Sequence, residues 1–99
     1  MALFVLHCLD APGKFDTRMS VRESHLSYVR DCGIKVLLAG PMLSDDGQKL
    51  VGSLFVIDVP DRAAAEAFSA SDPYVKANVF DSVQIHPFRW VVNPPSTLA

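Results

Sequence analysis

The chain opens on a run that is apolar on both sides of a two-residue alternation. In ALFVLHCLD (residues 2–10), Leu3, Val5, His7 and Leu9 share one face, and Phe4, Leu6 and Cys8 share the other. A strand with one wetted face reads apolar in and polar out, so this strand calls for cover on both sides. It ends at Ala11-Pro12-Gly13, a loop signal. The pattern then turns helical over RMSVRESHLSYVRDCG (18–33). At about 100° per residue, Val21, Leu26, Tyr28, Val29 and Cys32 fall in one arc. Glu23, Ser27, Arg30 and Asp31 fall opposite, and Gly33 marks the C-terminal stop. His25 lands near the middle of the apolar arc, with Arg18 and Arg22 on the same side. This predicts an imidazole against the sheet rather than in open water.

IKVLLAGPML (34–43) predicts a strand interrupted at Gly40-Pro41, since proline cannot donate to a ladder. SDDGQ (44–48) is a turn carrying the hairpin pair Asp46-Gly47. LVGSLFVIDV (50–59) is the returning strand. PDRAAAEAFSAS (60–71) predicts a helix capped by Asp61. DPYVKANVF (72–80) predicts a short second helical piece, because Asp72 before Pro73 is a start signal. DSVQIHPFRWVV (81–92) is the last strand. The order βαββαβ predicts an α+β, ferredoxin-like fold with a four-stranded antiparallel sheet. We expect one domain over residues 1–92 and a loosely held tail over 93–99.

Composition sharpens this picture. The 99 residues are 49% hydrophobic and 20% charged, as in a folded domain. One layer of helices covers one sheet face, so a chain this small keeps apolar surface on the other. The expected remedy is a homodimer or higher homo-oligomer through that face. A net charge of −2, with nine scattered Lys and Arg, argues against a nucleic-acid partner. No apolar run reaches membrane-spanning length, so no membrane partner is expected. The N-terminus lacks a basic leader region and reads as a strand, not a signal peptide. The two cysteines, Cys8 and Cys32, read as reduced core thiols of a cytoplasmic protein.

Two residues carry the candidate chemistry. His25 can exchange a proton near neutral pH, although a lone histidine on an apolar face also fits a satisfied core residue. Asp72 fits a helix cap, and the two roles are compatible: one carboxylate oxygen on the backbone N–H, the other orienting His25. In a ferredoxin-like domain both helices pack on one sheet face, so the end of the second helix can lie near the first. A carboxylate beside an imidazole fixes its tautomer. Arg22, one turn before His25, suits a substrate carboxylate or phenolate, and equally a solvated arginine. Ser24 points away from His25 on a helix and makes no serine nucleophile. His7, His25 and His86 lack metal-ligand spacing, as do the cysteines, so no metal is expected. Ala39-Gly40-Pro41 lacks the glycines and lysine of a phosphate loop.

The stretches HCLDAPG, VRESHLSYV, LAGPML, DGQKLVGSLFVIDVPDRAAAEAFSASDPY and VQIHPFRWV together resemble the YCII-related family, over roughly residues 2–92. The order R-x-x-H-L, A-G-P, D-P-Y is the specific part. The resemblance implies a dimeric ferredoxin-like fold of the dimeric α/β barrel type and a His–Asp dyad at His25 and Asp72. One family branch removes chloride from a chlorinated hydroxyquinol. Asn78 stands where the family usually has glycine, and asparagine tolerates left-handed backbone. The expectation is a cofactor-independent lyase- or isomerase-like enzyme on a small hydroxylated cyclic or aromatic substrate. Arg22, His7, Gly40, Pro41 and Tyr74 are its expected substrate contacts. The other reading is a non-catalytic dimeric module that binds a small ligand or assists a neighbouring enzyme.

Overall fold

The structure is a computed structural model that describes residues 2–96. Its elements are β1 (Ala2–Asp10), α1 (Phe15–Ser20), α2 (Arg22–Asp31), β2 (Lys35–Leu43), β3 (Leu50–Val59), α3 (Arg62–Ala70), α4 (Pro73–Lys76) and β4 (Phe80–Phe88). The strands form one sheet in the order β2-β3-β1-β4, with every pair antiparallel. This is the ferredoxin-like order: β3 inserts between β1 and β2, which the first helical segment connects.

The alternation seen in the sequence sets the two faces. Leu6 pairs with Phe55 and Ile85, and Cys8 pairs with Ser53 and Val83. These rows face the helices. Phe4, Leu6, Cys8, Phe55, Ile57 and Val59 pack there with Ala65 and Phe68 of α3, and Tyr28, Val29 and Cys32 of the α2 segment close over them. Full burial of a side chain such as Phe68 contributes about 1.5–3 kcal/mol. The other face carries Leu3, Val5, His7 and Leu9 in register with Asp58, Val56, Leu54 and Gly52. No described helix covers it. Leu9, Leu38 and Phe88 are each about 40% exposed there.

Three elements differ from the sequence expectation. The helix expected over 18–33 starts earlier and is two helices. Val21 joins them at φ −106°, ψ 7°, a backbone setting that turns the chain without breaking its hydrogen bonds to Thr17 and from His25. The strand expected to break at Gly40-Pro41 runs through them. β2 is an edge strand, so the missing proline N–H costs the ladder nothing on its open side. Its irregularities fall instead between Val36 and Leu38 and between Met42 and Leu43. The last strand stops at Phe88, not at residue 92, because Phe88 pairs with Leu3 and β1 begins one residue further on. Val91 and Val92 are left 74% exposed. The expected loose tail is described only to residue 96, and residues 97–99 lie outside the described residues.

Asp61 caps α3 as expected, accepting from the Ala64 N–H at 2.9 Å. Asn78 adopts φ +59°, the left-handed setting expected of a residue in the place of glycine.

Two outcomes follow. A Cβ on Gly52 would press on the Cys8 carbonyl oxygen and on Met42 Cε. Gly52→Ala should therefore destabilise the fold by about 1–3 kcal/mol. An unchanged urea midpoint would contradict that close approach. Burial first, and then the negative charge of Asp72, push the Cys8 thiol up to about 12. Cys32 is only partly buried. A thiol reagent at neutral pH should label Cys32 in the native protein and Cys8 only after unfolding. Equal labelling rates would refute this burial.

Candidate active site

The site begins with a turn. α3 ends at Ala70, and Asp72 is held extended (φ −66°, ψ 127°) by the proline that follows. Pro73 opens α4 at a position where no N–H is needed. Asp72 Oδ1 accepts the Tyr74 N–H at 2.9 Å and caps the turn. The same Oδ1 lies 2.8 Å from His25 Nδ1. A single oxygen therefore serves both cap and imidazole, where the sequence suggested one oxygen for each.

Both side chains are buried: His25 is 7% and Asp72 2% exposed. The imidazole is also fixed by packing. The Tyr74 ring stacks on it at 3.9 Å and 15°, and Phe55 meets it edge-on at 5.8 Å. A carboxylate only accepts, so with Asp72 ionised the Nδ1 carries the hydrogen and Nε2 keeps a lone pair. Nε2 bonds to no described residue. Among the described residues no fully buried side-chain nitrogen or oxygen lacks a partner. Nε2 therefore reaches open space.

That space is a cleft of about 460 Å³ between the two helices of the first segment and strands β2 and β3. His25, Arg22, Gly40, Pro41 and Tyr74 all line it, as do Ser53 and Phe55. Arg22 stands at the rim with its side chain 52% exposed. Glu23 is 3.9 Å away, a weak pair at an exposed position. Arg30, expected on the solvent side of the helix, reaches the edge of the same cleft.

The sequence-predicted residues do not all meet. His7 lies on the opposite face of the sheet, in the row Gly40–Leu54–His7–Gln84. It is not among the residues that line the cleft, because strand alternation turns it away from Leu6 and Cys8. His86 is exposed on that same outer face, opposite Val5. Among the described residues no group of three His, Cys, Asp or Glu is placed to hold a metal ion.

Sequence reasoning missed the role of a buried, hydrogen-bonded arginine in the cleft wall. Arg18 is 3% exposed. It donates to both oxygens of Asp10 at 2.8 Å and to Ser53 Oγ at 2.9 Å. Its guanidinium carbon lies 4.6 Å from the centre of the Tyr74 ring. Burial is the largest influence on Arg18 and works against its charge. The hydrogen bonds and charge of Asp10, helped by Tyr74, outweigh it, so its pKa is raised. Burial raises the Tyr74 hydroxyl, with Arg18 pulling the other way. The helical wheel placed Arg18 beside His25, but nothing in the spacing pointed to Asp10 or Ser53 as its partners.

Comparison with known proteins agrees with this architecture. The model of the YCII-related domain matches residues 2–89. Protein YciI of Escherichia coli O6:H1 is 33% identical over 97 residues, covering 90% of this chain and 98% of its own. An uncharacterized protein of Haemophilus influenzae is 30% identical over 95 residues, covering 89% and 97%. Among solved structures, the 5-chloro-2-hydroxyhydroquinone dehydrochlorinase TftG of Burkholderia phenoliruptrix AC1100, in complex with 2,5-dihydroxybenzoquinone, matches with a TM-score of 0.77 at 26% identity. That match covers 90% of this chain and 93% of TftG. An antibiotic biosynthesis monooxygenase shares the fold alone, with a TM-score of 0.56 at 14% identity over 92% and 99% of the two chains. The fold is the ferredoxin-like one of the dimeric α/β barrel type, and the chain belongs to the YCII-related family.

Proposed function

We propose that this chain is a small-molecule enzyme in which His25 moves a proton on a hydroxylated cyclic or aromatic substrate, as a lyase or an isomerase does. The observation that carries the reading is the buried 2.8 Å bond between His25 Nδ1 and Asp72 Oδ1, with Nε2 unpartnered at the cleft wall. The similarity to a dehydrochlorinase supports the same class of reaction. Nε2 takes the proton of a substrate O–H or C–H. Asp72 holds the tautomer and faces the positive charge that builds on the ring. The electron pair left behind moves into the substrate, which expels a leaving group such as chloride or takes a proton back at another carbon. Arg22 at the rim, or a backbone N–H near Gly40, adds to the stabilisation of the oxyanion. Proton transfer of this kind draws on His25 and Asp72 alone and calls for no cofactor.

The open sheet face supports a homodimer. Leu3, Val5, Leu9, Leu38, Leu54 and Val56 make it apolar across three strands, and two such faces would cover each other. Both cysteines are free thiols, in keeping with a cytoplasmic location.

Turnover should be sought first with chlorinated hydroxyhydroquinones, then with other halogenated phenols and lactones. His25→Ala and Asp72→Asn should each lower kcat about 10²–10⁴-fold. Equal turnover in the two variants and the unaltered protein would end the dyad reading. Sedimentation should give twice the chain mass. Leu9→Lys, at a position already 41% exposed in the single chain, should weaken that assembly at least about tenfold while leaving the fold intact. A wild-type chain that sediments as a monomer at every concentration would remove the sheet-face dimer.

A further inference from the structure

Ser53 lies in the helix-facing row Pro41–Ser53–Cys8, is 3% exposed and lines the same cleft as His25. Its oxygen accepts from Arg18 Nη2 at 2.9 Å. That contact occupies the acceptor side of the hydroxyl only, and its hydrogen remains to be given. No described residue accepts it. A buried donor with an unassigned hydrogen, facing a cleft, points to a ligand.

The second observation concerns Arg18. Its bidentate bond to Asp10 fixes the guanidinium in the cleft wall, with Nη2 held on Ser53. A cationic donor on the serine oxygen polarises the O–H and strengthens the hydrogen bond it makes in turn. The same contact makes Ser53 a poor nucleophile, since its oxygen already faces a positive charge. Arg22, half exposed at the rim, works through water and salt. Ser53 works in a buried part of the wall, where a fixed dipole counts for more.

We propose that the Ser53 hydroxyl, positioned and polarised by Arg18, receives the substrate oxygen that becomes negative, so that the cleft selects ligands of the phenolate or enolate class. The assignment rests on the proton-transfer reading of the cleft. As Nε2 takes the proton, the electron pair left on the substrate settles on the oxygen facing Ser53. No bond to Ser53 forms. The pair then returns to expel the leaving group or to take up a proton elsewhere.

The probe is 4-nitrophenol, whose neutral and ionised forms absorb differently, with nitrobenzene as the uncharged control. Bound to the wild type at neutral pH, 4-nitrophenol should shift toward phenolate relative to its free state. Ser53→Ala should weaken phenolate binding about 10–100-fold, the loss of a hydrogen bond to a charged group, with nitrobenzene binding within about threefold of wild type. Ser53→Cys keeps the size of the side chain with a weak donor and should show the same loss, whereas Ser53→Thr should keep most of the affinity. Phenolate binding equal to wild type in Ser53→Ala or Ser53→Cys would overturn the assignment, as would a wild type with no preference for the phenolate. The two readings separate cleanly. If His25→Ala abolishes turnover while Ser53→Ala binds phenolate normally, the dyad stands and the Ser53 role falls. If Ser53→Ala loses phenolate while His25→Ala turns over normally, the oxyanion contact stands without the dyad.

Discussion

One carboxylate oxygen holds the site together. Asp72 Oδ1 accepts from the Tyr74 backbone and from the His25 ring at nearly equal distances. The cap sets where α4 begins, and α4 sets where the Tyr74 ring lies. That ring stacks on the imidazole whose Nδ1 bonds the same oxygen. Backbone turn, aromatic stack and imidazole tautomer thus form a closed loop of constraints. Removing any one leaves a buried polar group or an unsupported ring, and a half-satisfied buried network costs more than none. A four-residue helix would be marginal alone. Here its start is fixed by proline, by a cap and by packing.

A buried ion pair, Arg18 with Asp10, stands beside the hydrogen-bonded pair of His25 and Asp72. Desolvation offsets much of the attraction between its charges. Its geometric effect is clearer. It ties the end of β1 to α1 and, through Ser53, to β3. The cleft wall is therefore held by two buried polar pairs from four separate parts of the chain, with the Tyr74 ring between them.

Much of the fold was legible because the local signals agreed. Alternation marked β1, Asp46-Gly47 marked the hairpin, Asp61 and Asp72 marked helix starts, and β3 matched its expected range residue for residue. The misses have specific causes. A wheel drawn over one continuous helix cannot show a turn at Val21, where the hydrogen bonds persist while φ and ψ both leave the helical setting. Pro41 reads as a break unless β2 is known to be an edge. The end of β4 depends on where its partner β1 begins, which is a fact of pairing and not of residues 89–92. In the site, His25 and Asp72 stood out by residue type and by family resemblance. Ser53 and Asp10 did not, because serine after glycine in a strand and aspartate at a strand end are ordinary. Only the fold brings them to Arg18. His7 seemed a site residue by chemistry, but the strand's own two-fold alternation turns it away.

Ser53 and Leu54 are adjacent on β3, and they face opposite worlds. One side chain looks into the cleft and the other onto the open sheet. They share a peptide unit, and a pleated strand cannot tilt one neighbour without moving the other. The surface behind the sheet is therefore mechanically part of the cleft wall. A change at Leu54 that suits a new contact on the far side would be felt at a hydroxyl held to within a hydrogen bond's tolerance. In a domain one sheet thick, neither side can drift in sequence without the consent of the other.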